Sequence, residues 1–289
     1  MEPDPVIAVL VPAALALIML GLGLSLTVDD FARVVRYPRA AAVGLGCQIL
    51  LLPLLALGIA HLFALPPELA VGLMVLAASP GGAGANVLSY LGGGDVALNI
   101  TLTAVNSVLS LLTMPLIVGM ALRHFVGGDR EIAMQPAEVI GVIVIVLVPV
   151  AIGMRIRARR TALADRMRRP AGALSALFML LAIVSVVAQA GERLVDGARA
   201  CGLAALTLNL TSIAAGYGAT RLARLTPRQA VSISMEAGIH NIPLAMTIAS
   251  NPRLLDNLTM AMPAMVYGAM MLITGAGVAA LTARRLRAA

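Results

Sequence analysis

The sequence has no lysine and no tryptophan, and only two cysteines, three histidines and 3% aromatic residues. Charged residues make up just 12% of its 289 positions, while 60% are hydrophobic and the mean hydropathy is +0.95. So little charge excludes a soluble domain of this size and points to a polytopic membrane protein. Cys47 and Cys201 both fall in apolar stretches, which argues against a disulfide framework or a cysteine metal site. Paired catalytic acids, a His-x-x-x-His motif and a nucleophile elbow are all missing, so the chain does not read as an enzyme. The opening Met1-Glu2-Pro3-Asp4-Pro5 is acidic rather than basic, and the apolar run after it is long enough to span. No cleavable leader is therefore expected.

What the chain does have is apolar length, enough for about nine crossings of roughly 20 residues. The expected spans lie near 6–27, 38–62, 67–91, 95–123, 137–156, 170–190, 197–221, 227–249 and 258–283. All 21 basic residues are arginines, and they are distributed unequally. With nine spans, sixteen fall on one side, among them Arg33, Arg36, Arg39, Arg155 to Arg169 and the tail Arg284, Arg285 and Arg287. Only Arg123, Arg130, Arg193, Arg199 and Arg253 fall on the other. This positive-inside bias puts the N-terminus outside and the C-terminus in the cytoplasm. The surplus that gives a net charge of +7 thus orients the chain and implies no nucleic-acid partner. Exclusive use of arginine suggests a GC-rich bacterial genome, hence a cell (inner) membrane.

Two of the spans are interrupted. Ala78-Ser79-Pro80-Gly81-Gly82-Ala83-Gly84-Ala85-Asn86 breaks the third, and Met235-Glu236-Ala237-Gly238-Ile239-His240-Asn241-Ile242-Pro243 breaks the eighth. A bilayer offers no water to a loosened backbone, so such breaks persist only where protein or a wet cavity supplies partners. Paired interruptions in corresponding positions of two halves point to a transporter's binding site. A cut in the outer loop leaves 1–130 with four helices and 131–289 with five, and the broken span is penultimate in each half. The two breaks run in opposite directions, which predicts an inverted repeat within a single transmembrane domain.

Glu236 is the one carboxylate placed near the middle of a span, at a cost of roughly 2.5–3.5 kcal/mol unless it has a partner. Gln48, Asn86, and Asn99 with Thr103 on one face of the fourth span add oxygens suited to a hard monovalent cation. Taken singly, each Asn or Thr reads as a helix–helix hydrogen bond; taken together with Glu236 and two broken helices, they read as a cation site. His240 reads as a proton carrier, a substrate contact or a side chain bonded within the break. Asn241 and Pro243 have the order of an N-cap and a first helical turn, and Gly81, Gly82 and Gly84 prepare a second helix start. Two helix N-termini at mid-membrane would hold an anion without any arginine there. The nearby methionines Met246, Met260, Met262, Met265, Met270 and Met271 read as packing.

These motifs resemble the bile acid:sodium symporter family. The resemblance runs from Gly21-Leu22-Gly23-Leu24-Ser25-Leu26 and Asp30-Phe31 through Pro38 and Gly44, Gln48 and Pro53. It is strongest over Ser79 to Val87 with Tyr90-Leu91, and returns at Glu236-Ala237-Gly238-Ile239-His240-Asn241. It implies an all-α fold in which two broken helices cross inside a core domain (spans 2, 3, 4, 7, 8 and 9) packed on a panel domain (spans 1, 5 and 6). It also implies a first sodium site of Ala85, Asn86, Asn99, Thr103 and Glu236, and a second of Gln48, Glu236, Ala237, Ile239 and His240. Gly82, Ala83, Asn86, His240 and Asn241 would face an organic anion of the bile acid, pantoate or keto-acid kind. Three positions depart from the family pattern. Ala85 lacks the usual hydroxyl, Asn99 stands for a small hydroxyl residue, and His240 stands for a glutamine. The expectation is a secondary transporter that uses sodium as coupling ion and needs no cofactor; the alternative is a proton-coupled or uncoupled organic-anion transporter of the same fold. The rival is a non-transporting membrane sensor with a degenerate site. The sequence leaves the oligomeric state open and is compatible with a monomer.

Overall fold

The computed structural model describes residues 13, 16–17, 19–21, 23–24, 26–127, 136–167, 170, 173–174, 177, 192–251 and 254–288. The named helices are α1 (Val28–Arg36), α2 (Pro38–Leu62), α3 (Pro67–Ala78), α4 (Ala83–Leu91) and α5 (Val96–Phe125). They continue with α6 (Pro136–Arg159), α7 (Glu192–Leu222), α8 (Pro227–Gly238), α9 (Ile242–Ser250) and α10 (Leu258–Ala288). Among the described residues there is no strand, only one isolated antiparallel bridge between Gly81 and His240. Three helices, Pro38–Leu62, Val195–Leu222 and Leu258–Leu286, are long and apolar enough to cross a bilayer. The bent Val96–Phe125 makes a fourth if it is counted as one span. The spans expected at 6–27 and 170–190 lie largely outside the described residues.

Local chemistry explains where the helices begin. Pro38, Pro67 and Pro227 open α2, α3 and α8, positions where a missing N–H costs nothing. Thr226 and Gln229 close a reciprocal capping box on α8, and the Asp95 carboxylate accepts from the Leu98 amide to cap α5. Two departures from the sequence reading are local. The charged segment 28–36, read as a loop, is the helix α1, and α2 contains a π-helical turn over Cys47–Leu51. Such a turn inserts one extra residue per coil and turns the side chains beyond it onto a new face.

The broken spans match each other in dimensions. α3 and α8 each have 12 residues and start with proline; α4 and α9 each have 9. α3 packs between α5 and α10, α8 packs on α7 and α4, and α9 lies against α10 and α3. Their apolar cores are continuous through Leu73, Leu76, Leu208, Leu244, Met246, Met260, Met262 and Tyr267, with Met265 and Met271 packed against them. Met246, Met260, Met262, Met265 and Met271 therefore serve as packing, as read from the sequence. Small residues set the closest approaches, as expected where lipid supplies no hydrophobic drive. A Cβ on Gly72 would collide with the Met260 carbonyl of α10, and one on Gly23 with the Val150 carbonyl of α6. Leu50, Leu54, Leu112, Leu116, Leu272, Ile273 and Leu281 point outward, an apolar exterior that suits a bilayer rather than water.

Candidate functional site: the crossing of the two broken spans

Each break is an extended segment between two helices. Ser79 leaves α3 in a β conformation and Gly82 enters α4 at φ −87°, ψ 160°. Ile239 leaves α8 in the same extended way, and Asn241 caps α9 by accepting a 3.1 Å hydrogen bond from the Leu244 amide. The two extended segments lie antiparallel and exchange backbone bonds. The Gly82 amide donates to the Ile239 carbonyl at 2.7 Å, and the Asn241 amide donates to the Pro80 carbonyl at 2.9 Å. Each break thus supplies the hydrogen-bond partners that the other lost by leaving the helix. Only glycine fits on one side: a Cβ on Gly82 would lie 2.6 Å from the His240 carbonyl oxygen. α4 and α9 both begin here, so two sets of helix N-terminal amides open at one point.

Glu236 sits two residues before the end of α8, 2% exposed. Its Oε2 accepts hydrogen bonds from Asn99 Nδ2 at 2.7 Å and Thr103 Oγ1 at 2.6 Å. The i, i+4 spacing on α5 thus brings both side chains to one oxygen. Oε1 faces the Gly81 Cα, where any side chain would collide with it, and has no hydrogen-bond partner. The π-helical turn of α2 carries Gln48 to the first break, where its Nε2 donates to the Ser79 carbonyl at 2.8 Å. His240 Nδ1 lies 3.3 Å from the same carbonyl oxygen. Because that oxygen only accepts, Nδ1 carries the hydrogen and Nε2 the lone pair. Asn86 is half-buried on the first turn of α4 and makes no described hydrogen bond to Glu236.

Seven buried side-chain polar atoms among the described residues have no hydrogen-bond partner. Five belong to this cluster: Gln48 Oε1, Asn86 Oδ1, Asn99 Oδ1, Glu236 Oε1 and His240 Nε2. All five are acceptors, and orphaned buried acceptors are uncommon and costly. An oxygen-rich set with one carboxylate has the chemistry to hold a hard monovalent cation. Asn99 uses its amide nitrogen on Glu236 and keeps its oxygen free, so the substitution at that position still offers an oxygen. Ala85 is fully buried and offers no side-chain oxygen, while its amide donates to the Gly82 carbonyl. The Ala237 side chain packs where a Cβ on Gly216 of α7 would lie 3.0 Å away. The Ile239 carbonyl is already engaged by the Gly82 amide. The Ala83 backbone starts α4, but its side chain lies outside the described residues.

Behind the crossing stands a brace that sequence reading missed. The Gly238 carbonyl, released by the end of α8, accepts from Asn209 Nδ2 of α7 and from the Tyr267 hydroxyl of α10, both at 2.9 Å. Thr274 Oγ1 in turn donates to Asn209 Oδ1. Tyr267 also presents its ring to His240, with centroids 5.3 Å apart in an edge-on arrangement. The available signal was weak: an asparagine and a tyrosine inside apolar spans, neither within a recognisable motif.

Residues 12–197 match the family model described as Sodium Bile acid symporter family. The chain belongs to the sodium bile acid symporter family. That family is one of transporters, not enzymes. The uncharacterized sodium-dependent transporter YocS of Bacillus subtilis (strain 168) is 38% identical over 104 residues, 36% of this chain and 32% of that protein. The Probable sodium/metabolite cotransporter BASS2, chloroplastic, of Oryza sativa subsp. japonica is 25% identical over 266 residues, 92% of this chain and 62% of that protein. The sodium/bile acid cotransporter 4 of Mus musculus is 29% identical over 256 residues, 87% of this chain and 59% of that protein. The chain thus spans from 32% to 62% of the lengths of these relatives. Membership in the symporter family agrees with the motifs that meet at the crossing, one from each broken span.

Proposed function

We propose that the chain is a sodium-coupled symporter of a small organic anion, working by alternating access in a bacterial inner membrane. The observation that carries this reading is the set of five partnerless acceptor atoms around the crossing, with Glu236 at its centre. In this reading Ala85, Asn86, Asn99, Thr103 and Glu236 surround one sodium ion, and Gln48, Glu236, Ala237, Ile239 and His240 the position of a second. The relatives named as sodium-dependent and as sodium/metabolite or sodium/bile acid cotransporters support sodium as the coupling ion. The anion lies against the starts of α4 and α9, at Gly82, Ala83, Asn86, His240 and Asn241, where free helix amides supply positive potential. Coupling follows from charge. A buried carboxylate and a bound anion repel one another until cations neutralise the site.

The equal lengths of the two broken spans support an inverted repeat of halves 1–130 and 131–289 with nine spans. The close contact of Gly23 with Val150, away from the crossing, supports a panel that includes spans 1 and 5 beside the core. The N-terminus lies outside and the C-terminus inside, following the arginine bias. Proton coupling is the second reading, favoured by His240, since an imidazole nitrogen is a poor sodium ligand.

The deciding experiment is the thermal stability of the purified protein in sodium against choline at matched ionic strength and pH, with Glu236→Gln beside it. A ligand that binds only the folded state at a hundredfold excess over Kd stabilises by about 2.7 kcal/mol. We expect a sodium-specific rise that Glu236→Gln abolishes. A sodium response that survives Glu236→Gln refutes the site, and a response to pH alone transfers the coupling to protons.

A further inference from the structure

A cavity that shares no lining residue with the crossing lies between the end of α6 and the segment that leads into α1. Its volume is about 660 Å³, and it is lined by Leu26, Thr27, Asp29, Met154, Arg155, Arg157, Ala158, Arg159 and Thr161. Arg155, Arg157 and Arg159, all near the end of α6, contribute to this lining. Asp165 engages Arg157. Arg155 and Arg159, four residues apart and so on one helix face, form no ion pair with any described residue. Among the described residues, Asp29 is the one carboxylate in the lining.

A simpler use for these arginines is to balance the C-terminus of α6, whose partial charge is roughly −0.5. With Arg157 paired to Asp165, the two charges of Arg155 and Arg159 still exceed that need, and it would not require them to line a cavity. The rest of the lining is informative as well, because it includes the apolar Leu26, Met154 and Ala158. A lining that combines basic and apolar side chains matches an amphiphile with an anionic head rather than a simple inorganic ion. Guanidinium forks bind phosphate oxygens in pairs, which gives geometric fit in addition to charge.

We infer that this cavity holds the phosphate group of an anionic ligand, with Arg155 and Arg159 as its direct contacts and Leu26 and Met154 beneath it. A membrane phospholipid head and a soluble phosphate share this chemistry, and basic pockets between transmembrane helices are known to take anionic lipid heads. The site does not depend on the proposed sodium coupling. Only the naming of the leaflet, the cytoplasmic one, rests on the proposed orientation.

The test uses the purified full chain in a non-ionic detergent. Its melting temperature is followed against added dioleoylphosphatidylglycerol, dioleoylphosphatidylcholine or inorganic phosphate, all in choline so that sodium plays no role. We expect phosphatidylglycerol, but not phosphatidylcholine, to stabilise the protein. The double variant Arg155→Gln/Arg159→Gln should weaken that effect by roughly thirtyfold in lipid concentration. A control pair, Arg284→Gln/Arg285→Gln, removes two charges elsewhere on the same face and should respond like the parent. Asp29→Asn, which deletes a repelling carboxylate of the lining, should tighten binding several-fold and covers the case in which the double variant fails to fold. If inorganic phosphate alone reproduces the pattern, the site stands and its ligand is soluble. Equal responses of the parent and the Arg155/Arg159 variant, or no tightening in Asp29→Asn, overturn the inference.

Discussion

Gly81→Ala is the sharpest probe of the crossing, because it adds one methyl group at the carboxylate. The new Cβ would lie 2.6 Å from Glu236 Oε2 and closer still to Cδ and Oε1. An ordinary contact needs roughly 3.5 Å, so the carboxylate or the break must retreat by about 1.5 Å to clear the nearest oxygen, Oε1. The carboxylate cannot move towards its donors, since Asn99 and Thr103 already sit 2.7 Å and 2.6 Å from Oε2. Moving away breaks both bonds, and hydrogen bonds to a charged group contribute about 1.5–3 kcal/mol each. Moving the break instead strains the exchanged backbone pair, and overpacking of this kind costs about 1–3 kcal/mol. The cheaper route wins, so a loss of about 1–3 kcal/mol in cation affinity is expected, or roughly five- to 150-fold in Kd. The assay is sodium-dependent thermal stabilisation. A parent stabilised by about 2.7 kcal/mol at a hundredfold excess of sodium would retain only about 0.7 kcal/mol after a fiftyfold loss. Gly58→Ala, where an added Cβ meets nothing within 4 Å, serves as the control and should behave like the parent. If Gly81→Ala kept the full sodium response, Glu236 Oε1 would not face the cation and the placement of the site would be wrong.

Two further predictions concern the surroundings of the site. Removing both donors to the Gly238 carbonyl, with Asn209→Ala and Tyr267→Phe, should cost more than the two single changes added together. The first loss leaves one donor in place, whereas the second strands a buried carbonyl at about 1–3 kcal/mol; strict additivity in a double-mutant cycle of melting temperatures would contradict a shared brace. His240→Gln keeps a donor for the Ser79 carbonyl and replaces the free imidazole nitrogen with an amide oxygen. It should lower the sodium concentration needed for half-maximal stabilisation, and an unchanged sodium curve would remove His240 from the cation's surroundings.

Much of the crossing could be read from the chain because its signals are local. Pro80, Gly81 and Gly82 cannot continue a helix, Asn241 and Pro243 have the order of a cap and a first turn, and Asn99 and Thr103 share a face by spacing alone. The structure places these residues accordingly, with Asn241 bonded to the Leu244 amide and both α5 side chains on Glu236. What could not be read is long-range or breaks periodicity. The pairing of Gly82 with Ile239 joins residues more than 150 positions apart, and no local pattern encodes it. Gln48 reaches Ser79 through a π-helical turn, which an apolar run does not announce. Asn209, Tyr267 and Thr274 look like scattered polar residues until the free end of α8 shows what they hold. Segment 28–36 was hidden by its charge, since two acids and two arginines in nine residues read as a loop.

In the sequence the two breaks look like weak points, places where a membrane helix could fold or flex. The exchanged bonds give them the opposite mechanical character. To bend at Gly82 or Asn241, the chain would have to rupture both backbone hydrogen bonds and leave four polar groups without water nearby. A stroke that carries cargo across the membrane would find cheaper places to yield, such as the glycine-lined seam of Gly23 and Gly153 against neighbouring backbone. The crossing would then travel as one piece, like a rivet through two straps. Its distances to Glu236 would stay the same at both ends of the stroke, and the outward and inward faces would read the same cation with the same ruler.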